Sequence, residues 1–476
     1  MKKKSLTKNY FYNLIYQMIS VIVPLVLTPY LSRVLGAENI GIYSFTLSIN
    51  IYFILFGSLG IAMYGQREIA YEQNDKKAYS KTFYEILIMR FITLGISTVL
   101  FYFIFCTSGD YSKFYRILLL EILASSFEIS WFFQGLEDFK KTVIRFSIAK
   151  ITSIFLIIML VKGKGDLVTY FYISILIDLI GNLSLWLYLP KYLCKVKFKE
   201  LNIFKHLKPT IVLFIPQIAI QVYTVLDKTM IGLIVSDKSE VGYYEQSQKI
   251  VKLLLTVATS YGAVMFPRMS NTFASGNSKK IKEYLNVSFS VILMLAFPLM
   301  FGIISVLDKF VPLFYGPGYD KIVYIIAVIS PIIIAIGLSN VVGTQYFLPT
   351  KQQKKYTISV ICGAIVNFIL NMILIRYFQS IGASIASVVA EFTVTGIQLY
   401  YVRKEFNISS IIKKSYKYLI ASVIMLLVSL SINSLINSGV LCLITQIIVS
   451  TLVYFSLLLI MKDKFFMEMF SKYRKK

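Results

Sequence analysis

"QVYTVLDKTMIGLIV", residues 221–235, sets two opposite charges, Asp227 and Lys228, between apolar runs. At bilayer depth each charge costs about 3 kcal/mol or more, so a chain keeps it only where it meets water or a partner. Membrane depth is the right frame here. The chain has 476 residues, is 57% hydrophobic and has a mean hydropathy of +0.70. A soluble domain holds roughly 45–50% apolar residues. Apolar runs long enough to span a bilayer, about 20 residues each, recur along the whole length.

Read by these runs, the chain is predicted to be an all-α polytopic membrane protein with fourteen transmembrane helices. The expected limits are 10–33, 40–63, 84–106, 115–135, 143–161, 167–189 and 210–235, then 242–266, 286–306, 322–347, 356–375, 381–402, 416–436 and 439–461. The first run is too long for the apolar region of a leader peptide and is read as a retained helix.

The net charge of +25 could suggest nucleic acid. Its placement points elsewhere: most of the 49 lysines and arginines fall in alternate loops, on the side shared with the N-terminus. That bias predicts a multi-pass protein of the cytoplasmic membrane with both termini in the cytoplasm, its basic loops facing anionic lipid. Nucleic acid is not an expected partner. Four scattered cysteines (Cys106, Cys194, Cys362 and Cys442) and the single His206 offer no metal-ligand spacing. There is no phosphate-binding glycine loop for ATP. Neither a metal nor an organic cofactor is expected. No loop is long enough for an outer domain, so function must lie within the membrane.

A repeat is present. A shift of 201 carries the first span onto the seventh and matches Gly41 with Gly242, Tyr43 with Tyr244 and Arg67 with Arg268. A shift of 213 carries the fifth and sixth spans onto the eleventh and twelfth and sets Asp178 on Glu391. Six spans is an even number, so the two repeats are parallel. The expected divisions are an N-terminal six-helix lobe at 1–200, a second at 201–405, and an added helix pair with a basic tail at 406–476. Helical spacing gathers polar residues into stripes, and Gln17, Gln217, Gln221, Asp227, Asn367 and Asn371 are the expected lining of a polar cavity where the lobes meet. A mid-span carboxylate either pairs with a cation or loads a proton or sodium ion, and Asp178 and Glu391 are the candidates for such coupling.

Three segments resemble a known family: "PLVLTPYLSRVLGAENIGIYSF" (24–45), "FEISWFFQGLEDFKK" (127–141) and "YTVLDKTMIGLIVSDKSEVGYYEQSQKI" (223–250). They are similar to the bacterial polysaccharide flippases of the multidrug/oligosaccharidyl-lipid/polysaccharide superfamily, which export O-antigen or capsule repeats. The resemblance runs over residues 8–402. It implies alternating-access movement of an undecaprenyl-diphosphate oligosaccharide to the outer leaflet, beside glycosyltransferases and a polymerase. It also implies a cationic cavity. Arg33 and Lys228 match by motif, and Arg90, Lys150, Lys249 and Lys252 match by span position. The alternatives are a multidrug or metabolite exporter of the same superfamily and an integral-membrane glycosyltransferase or polymerase. The last would want an acidic catalytic loop that is absent from the sequence.

Overall fold

The structure, a computed structural model, describes residues 6–406, 408–436 and 438–468. Among the described residues eleven helical runs are long and apolar enough to cross a membrane; two of them break at Gly36 and Gln379 into two helices each, and with Leu207–Ile234 they make fourteen, and no strand occurs. Helices α1 (6–35) and α2 (37–58) form one run, Leu6–Ser58, broken only at Gly36, whose φ of 77° is left-handed backbone that suits glycine. The first repeat continues with α3 (Lys76–Phe101), α4 (Ser112–Ser126), α5 (Phe139–Leu160) and α6 (Leu167–Trp186). The second holds α7 (Leu207–Ile234), α8 (Ser239–Ala274), α9 (Ser278–Tyr315) and α10 (Lys321–Phe347). Next come α11 (353–378) and α12 (380–402), one run broken at Gln379. Helices α13 (Ile408–Leu435) and α14 (Gly439–Ile460) close the chain.

The chain packs as two units, Met1–Thr229 and Met230–Lys476. The division falls inside α7, near its end, and not at residue 200. Thr229 explains why: its hydroxyl donates to Ser48 Oγ (2.9 Å) and Tyr52 Oη (3.2 Å), both on α2. The final pair belongs to the second unit, where Tyr454 of α14 donates to the Met294 carbonyl of α9 (2.7 Å).

The corner at 124–141 shows why its motif reads as it does. Helix α4 stops at Ser126 and frees its last carbonyls, which need donors because lipid offers none. Asn182 Nδ2 donates to Ala124 O (2.8 Å), Arg90 sends Nε and Nη2 to Ser125 O (3.0 and 2.6 Å), and Trp186 Nε1 donates to Phe127 O (2.8 Å). Glu128 then caps the short helix Ser130–Gly135 through Ser130 N (2.7 Å). Trp131, Phe132 and Phe133 are buried against the short helix Ile61–Tyr71 and α3. Gly65 permits that approach: a Cβ there would lie 2.5 Å from Trp131 Cε3.

The loop before α7 is held by a buried chain of polar groups. Tyr64 Oη lies 2.7 Å from His206 Nδ1, and His206 Nε2 lies 2.8 Å from Glu85 Oε2. Glu85 also pairs with Lys205 (2.7 Å) and accepts from Asn202 N (2.7 Å). The carboxylate can only accept, so Nε2 carries the proton and Nδ1 accepts from Tyr64, which is the neutral imidazole. Burial pushes His206 below its ordinary value of 6.5, Lys205 adds to that push, and Glu85 opposes it. The unfolded chain therefore takes up this proton at a higher pH than the folded chain. Stability from the site is complete above about 6.5 and is lost as pH falls below it. The melting temperature in detergent should fall between about pH 7.5 and about pH 5.5, and His206→Gln should flatten that slope. An equal slope in wild type and variant would contradict this reading.

Candidate functional site

In the first unit α1, α2, α5 and α6 enclose a chamber of about 380 Å³. Its polar wall is Ser20, Tyr43, Lys150, Ser153, Ser174 and Asp178. Lys150 Nζ lies 3.6 Å from Asp178 Oδ1. Both remain part-exposed, at 33% and 43%, because they face the open chamber. Tyr16 and Phe146 pack with tilted rings at its edge, ring centres 4.2 Å apart, and Lys150 Nζ sits 5.8 Å from the Phe146 ring centre. Tyr43 is hydrogen-bonded to Ser174. Behind this wall Glu121 of α4 lies within electrostatic reach of both Lys150 and Asp178. The chamber thus offers one ammonium, one carboxylate, hydroxyls and aromatic faces, with a second carboxylate behind them, the equipment that binds a polyhydroxylated solute or a small cation.

The two sequence shifts reappear as matching contacts. Tyr43 with Ser174 in the first unit corresponds to Tyr244 with Ser387 in the second, where Tyr244 Oη and Ser387 Oγ are 3.0 Å apart. The shift that pairs Asp178 with Glu391 places Gly363 opposite Lys150. A Cβ on Gly363 would collide with Val394, so α11 and α12 approach too closely there for a lysine. The charged pair is therefore a feature of the first unit.

The remaining predicted residues fall into distinct settings. In the first unit Arg33 and Gln17 are exposed, and so is Gln221. The side chain of Gln217 lies outside the described residues. Asp227 is buried, Lys228 is half-buried, and Asp227 lies within electrostatic reach of Tyr52 on α2. Arg90 has a structural role, because it is 4% exposed, holds Ser125 O and stands 3.8 Å from Glu128 Oε2. In the second unit Lys249 pairs with Glu245 on its own helix (3.5 Å), and Lys252 is exposed. Asn371 Nδ2 donates to Asn367 Oδ1 (3.1 Å), both fully buried, which joins successive turns of α11. Glu391 is half-buried and lies within electrostatic reach of Tyr356. Of the six proposed cations, then, only Lys150 lines the chamber described here. The chamber's Tyr43 and Ser174, and Glu121 behind it, were not among the predicted site residues. The repeat pointed at Tyr43, and a mid-span carboxylate pointed at Glu121.

The fold and this charged chamber define a polytopic membrane transporter. Residues 6–273 match the family described as polysaccharide biosynthesis protein, and 213–375 match the family described as MatE. The chain belongs to the polysaccharide biosynthesis protein family, within the multidrug/oligosaccharidyl-lipid/polysaccharide superfamily. A protein of Escherichia coli (strain K12) named for O-antigen transport is 26% identical over 415 residues, 84% of this chain and 97% of that protein. A similarly named protein of Shigella dysenteriae is 23% identical over 80% of this chain and 96% of its own length. In fold, the structure titled lipid II flippase MurJ, inward closed conformation, matches with a TM-score of 0.76 at 19% identity, over 96% of this chain and 99% of that one. An inward-facing multidrug transporter of the same superfamily matches with a TM-score of 0.65 at 14% identity, over 84% of this chain and 95% of that one. These relatives are transporters and flippases, and the chain is a transporter, not an enzyme.

The Lys150–Asp178 pair should show coupling in a double-mutant cycle. Lys150→Met alone leaves two carboxylates facing each other, so it should lower the melting temperature in detergent more than Lys150→Met with Asp178→Asn does. Part exposure limits the coupling energy to roughly 0.5–2 kcal/mol. Strict additivity of the two substitutions would show that the pair does not interact.

Proposed function

We propose that this protein moves an undecaprenyl-diphosphate-linked oligosaccharide across the bacterial cytoplasmic membrane for O-antigen or capsule synthesis. The observation that carries the reading is a charged, hydroxyl-lined chamber at membrane depth in a chain of this family. Such a cargo has a diphosphate and a sugar that cannot cross hydrocarbon bare, and a long tail that can stay in it. Cations offset desolvation of the diphosphate, and a lysine holds a phosphate as a point charge that lets go more readily than a bidentate arginine. Hydroxyls and aromatic faces suit the sugar. Lys150 and Lys228 are the cations we assign to the cargo. Glycosyltransferases would supply it and a polymerase would consume it.

The same chamber supports ion coupling. Two carboxylates against one lysine leave a negative charge that a proton or sodium ion can neutralise. We assign that role to Asp178, with Glu391 as its counterpart in the second repeat.

The test is flux of undecaprenyl-diphosphate oligosaccharide across sealed vesicles containing the purified protein. Flux should exceed that of protein-free vesicles, and Lys228→Ala should lower it by about tenfold, the value of one charge-assisted contact. An imposed proton or sodium gradient should accelerate the wild type and leave Asp178→Asn at its slow, gradient-independent rate. Vesicles that expel amphiphilic cations but leave the lipid-linked sugar in place would establish the drug-exporter alternative instead.

A further inference from the structure

A second cavity, of about 290 Å³, runs between α5 and α6 on the first unit. We infer that this groove binds an anionic glycerophospholipid of the surrounding membrane, the phosphodiester on Arg145 and an acyl chain along the helices. The inference does not rest on the proposed cargo.

The groove is apolar for most of its length. Ile148 and Ile180 flank it at 60% and 64% exposure, so it opens toward lipid. Its polar end holds Lys141, Arg145 and Tyr188. That end lies where α5 begins and α6 finishes, on the membrane face of the basic loops. Arg145 is held there by its neighbours. Its side chain lies across α6 at Gly181, at a distance where even a Cβ would make only ordinary contact with Arg145 Cδ (3.4 Å). Nη1 donates to Asn182 Oδ1 (2.7 Å), and Asn182 is itself fixed on the Ala124 carbonyl (2.8 Å).

The charges do not balance within the groove. Lys141 is neutralised by Asp138 (2.6 Å) and bonded to Tyr192. Arg145 takes part in none of the ion pairs among the described residues, and its Nε is buried without a hydrogen-bond partner. One of its five donors is spent on Asn182. An intramembrane arginine without a carboxylate calls for an anion, and basic pockets between helices on the face of the basic loops recruit lipid headgroups. One uncompensated positive charge matches a phosphodiester, which carries one negative charge. A diphosphate would bring about two.

The full-length protein in neutral detergent should be titrated with phosphatidylglycerol, phosphatidylcholine and undecaprenyl diphosphate, with binding read by native mass spectrometry. Phosphatidylglycerol should be retained and phosphatidylcholine should not. Arg145→Gln should weaken phosphatidylglycerol binding by about tenfold, as expected for a lost charge-assisted contact. Ile148→Trp, on the lipid-exposed flank, fills the groove while keeping the charge and should weaken it too. That variant decides the matter if Arg145→Gln does not fold. Equal retention of the two phospholipids, or wild-type binding in the variants, would overturn the inference. Displacement of phosphatidylglycerol by undecaprenyl diphosphate at concentrations below those at which phosphatidylglycerol binds would overturn it as well, and would give the groove to the carrier lipid.

Discussion

A charge or a bare carbonyl inside hydrocarbon must find a protein partner, and the first unit is organised around that requirement. The carbonyls freed at the end of α4 draw in Arg90, Asn182 and Trp186 from α3 and α6. Those three residues tie the corner whose aromatic residues form the buried cluster with Ile61–Tyr71. Asn182 serves twice, since its other end fixes Arg145. Lys150 is answered by Asp178, but on the wall of an open chamber. Polar groups sealed in the interior hold helices together, whereas polar groups left facing a cavity remain available to a cargo.

The two repeats apply one plan to different ends. The tyrosine–hydroxyl contact survives in both, as Tyr43 with Ser174 and Tyr244 with Ser387. The lysine survives in one. Where the second unit has Gly363, the gain is close packing of α11 on Val394; where the first has Lys150, the gain is a charged wall. In the second unit helix ends are fastened instead by Glu240, whose carboxylate binds Lys321 (2.6 Å) and Ser380 Oγ (2.5 Å).

Much of the architecture was legible in the sequence because span length and hydropathy are set by bilayer thickness. The spans follow from that constraint, whereas the repeat was legible only through residues matched under shifts of 201 and 213. Both breaks fall in gaps between expected spans, Gly36 between 10–33 and 40–63 and Gln379 between 356–375 and 381–402, but only the glycine announces its positive φ; Gln379 adopts φ 53° without any such signal. Periodicity could place Arg90 and Lys150 at depth, but it could not show that one caps a helix end and the other faces a chamber, because partners come from other helices. Arg145 sits nearly two turns inside α5 and read as part of the basic loop. His206, the lone histidine, gave no hint in sequence of its buried bonds to Tyr64 and Glu85, which lie 142 and 121 residues away. The division inside α7 depends on Thr229 bonding to α2, a tertiary fact.

The Lys150–Asp178 pair, on the function proposed above, acts on cargo and is more than a tie between α5 and α6. Exchanging the two charges, Lys150→Asp with Asp178→Lys, separates the possibilities, with melting temperature and vesicle flux of undecaprenyl-diphosphate oligosaccharide measured on the same preparation. The exchange keeps an ion pair of the same composition but reverses which helix presents each charge to the cargo and to Glu121. Near wild-type melting with flux lost is the expected result. Recovery of both melting and flux would show that the pair is structural and would contradict its role in transport.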